Sequence, residues 1–518
     1  MRAGLILVLL VPLVSDSAVQ ANDEAATPLI FFRKPDRGTE KEIEGELISG
    51  NGLGGGTRDQ RALARAKLIV LDAWAVPYLS DALFGRKERP AHTIRMNAAA
   101  ALARILDPRA LPALRGAALK DKDRWVRRIA VLTLGLYRVE EDIKLLDGVI
   151  SDRRKRDPVA ALALGKFPQP DATDRLLARL TKPPQDEHLL SAILLAAAVR
   201  SPDAPIAAFL EHKKRIVQRV AAACLLIRPP GPKALERILK LVDRKGPREV
   251  RALQFYALGL IPERTDEIRK ALLNCAIKTK HKSEVRVAAL VGLADEWNVR
   301  ANFPGLNKHY RTIAGRNDPV VAAFFPAMVN TGDPKAIKIC LRVLKTQSAF
   351  LRFYASAALF QAIALGPEEH SRAGEIADAI VAQRPHTQDP RLLQLIDKVM
   401  RWSSPPEGTK DLRKLAREAL VDVGDPRGLH LFDRTRHERA WALLNSMLPF
   451  VLELDDVTVD LDKHNASTPP STEPGSGNKD KAGSEEELDL LDFLNEKPYF
   501  VPGDLGGADD LGGLAEKR

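Results

Sequence analysis

The stretch DRWVRRIAVLTLGLY, residues 123–137, decides the fold because copies of it recur along the chain without gaps. Five further segments align with it: IRMNAAAALARI from residue 94, VQRVAAACLLI from 217, VRALQFYALGL from 250, VRVAALVGLA from 285 and LRFYASAALF from 351. Their common large apolar position falls on Leu102, Leu134, Leu225, Leu258, Leu293 and Leu359, with Leu164, Met328 and a copy around LLSAILLAAAV filling the gaps. A period of about 30 to 35 residues indicates a repeat array.

Each copy also carries a small residue one helical turn before this large apolar position. The small residues are Ala98, Ala130, Ala160, Ala221, Ala289 and Ala355, whereas Gln254 and Phe324 are exceptions. A small side chain lets a neighbouring helix approach closely, as a stacked array requires. A second apolar helical segment follows each copy, as in ALPALRGAAL, EDIKLLDGVI and PKAIKICLRVL. The predicted unit is therefore a pair of antiparallel helices.

Length and composition support an all-α solenoid. A chain of 518 residues is too long for one compact core, and only 5% of its residues are aromatic. The apolar content is mostly alanine and leucine, which favours close-packed helices over sheets. The 35 prolines stand between the helical segments, as in Asp107-Pro108 and Asp333-Pro334.

The copies resemble HEAT repeats, in the short variety shared with the phycobilin-lyase group. The pattern D-x-x-V-R occurs at residues 123–127 and is followed by Leu134-Gly135, and weaker versions occur at 249–251 and 284–286. The resemblance implies an armadillo-like superhelix over residues 58–452, and it says almost nothing about function. We expect the last segment, HERAWALLNSMLPFVLEL, to cap the array.

The N-terminus has the pattern of a secretory signal. Residues 1–21 combine an early arginine, a short apolar run and small residues before a cleavage point after Ala21. An uncleaved membrane anchor is the alternative, although the run is half as long as a spanning helix. Residues 22–57 are predicted to form a flexible linker. The mature chain is expected in the periplasm or secreted, with no membrane span. Its three cysteines lie in apolar helical stretches and are predicted to be buried free thiols: Cys224, Cys275 and Cys340.

The C-terminal tail, residues 453–518, is predicted to be disordered and is strongly acidic. It holds 17 acidic and six basic residues, a net charge of −11, so the remainder carries +22 against +11 for the whole chain. A short partner-binding motif is predicted at residues 488–502, and its apolar residues are Leu490, Leu491, Phe493, Leu494, Tyr499 and Phe500. An ordinary solvated tail is the alternative.

Basic clusters recur just before the first helices, and equivalent loops of a solenoid lie along one edge. The candidate basic edge consists of Arg127, Arg128, Arg153, Arg154, Lys155, Arg156, Lys213, Lys214, Arg215, Arg219, Arg248, Arg251, Lys280, Lys282 and Arg286. It could bind a polyanion, including the acidic tail. The alternative is a set of ordinary solvated loops in which Arg127, Arg251 and Arg286 brace neighbouring repeats through hydrogen bonds.

The sequence predicts no catalytic residue, cofactor or metal site. The zincin spacing H-E-x-x-H, a nucleophile elbow and a P-loop do not occur, and iron-dependent HEAT hydroxylases present several His-Glu pairs where this chain has His437-Glu438 alone. We predict a non-catalytic interaction scaffold acting outside the cytoplasm on a protein or polyanionic partner. The alternatives are a lyase-like HEAT-fold enzyme with an unrecognised site, and a nucleic-acid-binding protein, which the export signal disfavours.

Overall fold

A computed structural model describes most of the chain between residues 35 and 452. The described ranges are 35–48, 52–54, 57–85, 90–152, 157–201, 204–226, 232–242, 246–261, 264–294, 299–314, 316, 318–346, 348–365, 373–403 and 448–452. The predicted signal peptide, residues 1–21, and the predicted acidic tail, residues 453–518, lie outside these ranges.

Over the described residues the regular structure is entirely helical. The α-helices, α1 to α22 in chain order, are Arg37–Ile48, Arg58–Val70, Val76–Ser80, His92–Ile105, Leu111–Lys120, Arg124–Tyr137, Asp142–Ser151, Pro158–Leu164, Pro170–Thr181, Glu187–Arg200, Arg215–Cys224, Pro232–Val242, Arg248–Leu260, Asp266–Ile277, Ser283–Ala294, Phe303–Ile313, Pro319–Val329, Pro334–Thr346, Ala349–Leu365, Ala373–Val381, Pro390–Ser403 and Leu448–Val451. None of the helices in these ranges has the length and apolarity to cross a bilayer.

Aspartates fix where several of these helices begin. The carboxylate of Asp123 accepts hydrogen bonds from the backbone N–H groups of Trp125 and Val126 at 2.8 and 3.0 Å. Asp186 caps α10 in the same way. Asp157 precedes a proline at the first position of α8, where the missing N–H costs nothing. Short sequence signals therefore set the start of several first helices.

The helices form two layers. The first layer contains α4, α6, α8, α10, α11, α13, α15, α17 and α19, and each of these packs against the next. The second layer contains α5, α7, α9, a 3₁₀ segment at Ile206–Glu211, α12, α14, α16, α18 and α20. Each second-layer element follows its first-layer partner along the chain and packs against the first layer. This is the predicted all-α solenoid of antiparallel helix pairs.

Small residues lie where the repeat pattern places them. All six alanines of the pattern have 0% exposed surface: Ala98, Ala130, Ala160, Ala221, Ala289 and Ala355. Helices α13 and α15 approach closely where Gly259 faces Gly292, so that a Cβ on Gly259 would lie 2.5 Å from the Cα of Gly292. The buried guanidinium of Arg264 donates to the carbonyls of both glycines and ties the two helices together.

The structure differs from the sequence prediction at the N-terminal end. Residues 22–57 were predicted to form a flexible linker, but Arg37–Ile48 is helix α1, which packs on α2 and α3. Its apolar side chains Ile43 and Leu47 lie one turn apart and are buried. The Tyr78 hydroxyl also donates to Glu40 at 2.9 Å. One short apolar stripe in a charged sequence is enough to dock this helix because the first repeat offers a surface for it.

The predicted capping role of the last segment is also wrong for residues 448–452. Helix α22 packs against α10 in the middle of the array, and not on the last described repeat. Leu448, Val451 and Leu452 are each at most 1% exposed. This contact joins positions more than 240 residues apart, so no local sequence pattern could announce it.

Candidate interaction surfaces

Three arginines of the repeat pattern brace neighbouring helices. Arg127, Arg251 and Arg286 donate to the backbone carbonyls of Asp121, Val242 and Ala276, at 2.9, 2.9 and 3.0 Å. These carbonyls lie at the ends of the preceding second helices, where the helix leaves carbonyl groups without internal partners. The structure thus gives these three arginines the bracing role.

Arg286 also contacts a histidine. Its Nη2 lies 2.8 Å from Nε2 of His309. Burial, together with the charges of Arg286 and Arg316, lowers the pKa of His309. The ring is therefore neutral at pH 7 and accepts a hydrogen bond from the guanidinium.

Arg128 is buried and binds the segment at residues 448–452. It is 1% exposed, so its placement on the exposed basic edge was wrong. Its Nε donates to Asp157 at 2.7 Å, and its Nη1 donates to the backbone carbonyl of Leu452 at 2.9 Å. The guanidinium also stacks over Trp125, 5.0 Å from the ring centroid. A buried charge needs such partners, and here one of them is the main chain of a distant segment.

Residues 448–451 pack on α10, a helix of the first layer. Helices α8 and α11 of the same layer and α9 of the second layer also pack against α10. All eleven residues from 189 to 199 are buried, as are residues 285–294 of α15 and 320–329 of α17. The segment at 448–451 thus adds one more contact to a helix that is already well covered. We call this place, formed by α10, Arg128 and Asp157, the inner seat.

Along the predicted basic edge, cations alternate with carboxylates. Lys214 pairs with Glu187 at 2.7 Å, and Arg215 pairs with Glu249 at 2.6 Å. Arg248 lies 3.2 Å from both Glu249 and Glu284. Burial raises the pKa of Glu249, but hydrogen bonds from its own backbone and from the two arginines outweigh this and lower the pKa to about 2. Ion pairs therefore run along the edge from α10 to α15. They weaken the attraction of its cations for a distant polyanion.

The other edge candidates divide into four groups. Lys213, Lys280 and Lys282 are exposed. Arg219 is half-buried, and burial lowers its pKa. Arg286 is 7% exposed and, like Arg128, does not belong to the exposed edge, because it is drawn in to brace α14. The remaining candidates lie outside the described residues: Arg153, Arg154, Lys155 and Arg156.

A cationic cleft that the sequence analysis missed lies between α16 and α18 of the second layer. It has a volume of about 310 Å³ and is lined by Asn307, Tyr310, Arg311, Lys335, Lys338, Ile339, Arg342 and Val343. Four of these residues are exposed cations, and none is acidic. The available signal was the spacing of Lys335, Lys338 and Arg342 on one face of α18.

Elsewhere in the second layer, acids on a neighbouring element neutralise arginines. Arg115 on α5 reaches Asp142 on α7 at 2.5 Å, and Arg179 on α9 reaches Asp147 on α7 at 2.5 Å. By contrast, the sequences of α16 and α18, FPGLNKHYRTI and PKAIKICLRVLKT, contain no acidic residue. The cleft therefore combines unusually concentrated positive charge with an apolar floor.

The remaining predicted features bear less on binding. The predicted burial of the cysteines is confirmed, and burial raises the pKa of the thiols of Cys224 and Cys340. In the described part of the chain, no group of three or more His, Cys, Asp or Glu residues could hold a metal ion. His437-Glu438 and the predicted tail motif fall outside that part.

Comparisons with known proteins find HEAT repeats in part of the chain. The family model of HEAT repeats matches residues 76–159. Among solved structures, Kap121p is similar with a TM-score of 0.43 and 14% identity, over 82% of this chain and 58% of that one. Human deoxyhypusine hydroxylase in complex with glycerol is similar with a TM-score of 0.23 and 16% identity, over 62% of this chain and 96% of that one. No curated protein matches the sequence. HEAT repeats are thus recognised over residues 76–159, and the chain spans little more than half the length of Kap121p.

Proposed function

We propose that this HEAT-repeat protein is a non-catalytic interaction scaffold that acts outside the cytoplasm and binds an apolar peptide segment of a protein partner. The observation that carries the proposal is the inner seat, where the solenoid holds residues 448–452 of its own chain. The partner segment would take the place of these residues.

The chemistry of the seat suits a peptide. It buries apolar side chains, including Leu448 and Val451, which supplies affinity. Arg128 donates to a main-chain carbonyl, a group that every peptide offers. Asp157 and Trp125 hold this guanidinium in place before a ligand arrives, so little ordering is lost on binding. A segment with two or three apolar residues around a free carbonyl would satisfy the site.

The location and the lack of catalysis have separate support. Action outside the cytoplasm is inferred from the signal-like pattern of residues 1–21. The non-catalytic part is inferred from the sequence, which lacks the catalytic motifs considered above. The interaction role accords with a repeat solenoid, whose long stacked surface suits the binding of extended partners.

A peptide titration tests the proposal. In the full chain, Leu448→Asp with Val451→Asp should release the resident segment and open the seat. A fluorescent peptide of residues 445–454 should then bind this variant, whereas in the wild type the tethered segment competes at an effective concentration on the order of millimolar. A peptide carrying the same two aspartates should not bind.

The control variant carries two aspartates in the tail, at Leu490 and Leu494, and should exclude the peptide as the wild type does. Circular dichroism would check that both variants remain helical. If the opened variant binds neither peptide, or binds both equally well, the inner seat is not a peptide site and the proposed function loses its support.

A further inference from the structure

We propose that the cationic cleft between α16 and α18 is a binding site for an acidic peptide, and that its occupant is the chain's own segment 485–492, EEELDLLD. This site is separate from the inner seat, and the inference does not depend on the proposed function. It rests on the positive charge of the cleft, on its apolar lining, and on the length of chain that joins the segment to Leu452.

The cleft differs in charge from the rest of the second layer. Elsewhere in this layer Arg115, Arg179 and Arg237 pair with carboxylates on adjacent elements, namely Asp142, Asp147 and Glu211. Around the cleft, Arg311, Lys335 and Lys338 have exposed charged groups, and neither α16 nor α18 supplies an acid. Several cations gathered in one concave site focus their field on an incoming anion.

The lining of the cleft indicates which class of anion it would bind. Tyr310, Ile339 and Val343 form apolar surface between the cations, and burial raises the pKa of Tyr310 to about 12, so its ring stays neutral. A bare inorganic anion would not use this surface. A peptide in which acidic and apolar residues are interspersed uses both, with carboxylates on the lysines and leucines on the floor. Residues 485–492 contain five acids and three leucines.

The segment can reach the cleft from the inner seat. Leu452 is fixed near α10, and α17, which lies between α16 and α18 in the chain, is four first-layer helices further along. At roughly 10 Å per packed helix, the separation along the array is about 40 Å, and the step across to the second layer adds roughly 10 to 20 Å. From Leu452 to Glu485 there are 33 chain steps. A flexible chain of that length has a root-mean-square span on the order of 30 Å and an extended reach of about 110 Å.

Because the segment is tethered to the solenoid, a weak interaction is enough to hold it in the cleft. Exposed ion pairs are individually weak, but a tethered segment is present at an effective concentration on the order of millimolar. Docking should be strong at low salt and should weaken as the Debye length falls from about 10 Å at 0.1 M to about 3 Å at 1 M. An outside acidic protein would have to displace the tail to use the cleft.

Zero-length carbodiimide cross-linking of the full chain tests this, because the reagent joins a carboxylate to a lysine amine only when the two are in contact. We expect peptides from the monomer band to link Lys335 or Lys338 to residues 485–492, with a yield that falls at 1 M salt. The exposed edge lysines serve as the comparison: Lys213, Lys280 and Lys282.

Two double variants that change the net charge equally extend the test. Both retain Lys335 and Lys338, the lysines at which cross-links are measured. Arg311→Glu with Arg342→Glu should lower the cleft cross-links roughly ten-fold, the change that 1.4 kcal/mol of lost binding produces. Lys213→Glu with Lys282→Glu changes the net charge equally and should leave the cleft links unchanged. If the double cleft variant unfolds, Arg311→Glu is compared with Lys213→Glu, which changes the net charge equally.

Three outcomes would overturn the proposal. The first is that tail carboxylates link to the edge lysines as often as to Lys335 and Lys338. The second is that cleft links form only in a dimer band, which would assign them to the tail of a second copy. The third is that both double variants lower the cleft links equally, which would leave only a general attraction between opposite net charges.

Discussion

Replacing Gly259 by alanine should destabilise the array, although alanine is the better helix former. A Cβ at this position would lie 2.5 Å from the Cα of Gly292 on the neighbouring helix. The obstacle is backbone, so it cannot move aside as a side-chain end could. Arg264 binds the carbonyls of both glycines, and any separation of the helices would also stretch those hydrogen bonds.

The two opposing effects can be compared. Alanine in place of glycine gains at most about 1 kcal/mol of helix propensity. Overpacking a tight contact costs about 1 to 3 kcal/mol, and weakening a hydrogen bond to a charged group adds to the cost. The net expectation is a loss of about 1 to 3 kcal/mol. Gly148 on α7 is the control, because a Cβ there meets nothing within 4 Å. Gly148→Ala should stabilise by about 0.5 to 1 kcal/mol.

Denaturant unfolding followed by circular dichroism measures both changes in the same background. We expect the two midpoints to move in opposite directions from the wild type. If Gly259→Ala unfolds at the same denaturant concentration as Gly148→Ala, the close approach of α13 and α15 is not real, and the reasoning about small residues between stacked helices fails at its tightest point.

Three further predictions follow from single sites. Ala130→Leu should lose about 1 to 3 kcal/mol because the site is fully buried, and unchanged thermal unfolding would contradict this. Thiol titration should count three groups after denaturation and almost none in the native protein, since all three thiols are buried: Cys224, Cys275 and Cys340. Glu249→Gln should cost less than about 1 kcal/mol at pH 7, because the ion pairs are partly exposed. The folded-state pKa of Glu249 is lowered to about 2, so its contribution is present above the ordinary pKa near 4.5 and disappears as pH falls from there towards 2. A difference from wild type that did not shrink between pH 4.5 and pH 2 would refute that assignment.

The sequence predicted the repeat unit because its determinants are local and recur. The alanine before each large apolar residue, the aspartate at the helix start and the Val-Arg pair report on contacts with the adjacent repeat. Ala130 and Arg127 illustrate this, as the first is buried and the second braces the preceding helix. Contacts that recur between neighbouring copies leave such a periodic trace.

The features that were missed depend on contacts without a periodic trace. Leu448–Val451 was expected to cap the array, because position in the chain was the only available guide, whereas its contact with α10 spans most of the solenoid. The cationic cleft joins residues on two second-layer helices. The cations on one face of α18 are visible in the sequence, but their neighbours on α16 are not. Helix α1 was too short and too charged to stand out from the linker predicted around it.

The most direct test of the inner seat, on which the proposed function rests, is photo-cross-linking from position 448 in the full chain. Photo-leucine in place of Leu448 should, on irradiation, attach within α10, at residues 187–200, since Leu448–Val451 packs on that helix. Attachment to α19, α20 or α21 would instead show that the segment caps the last described repeats. That result would remove the resident peptide from the inner seat and contradict the proposed function at its foundation.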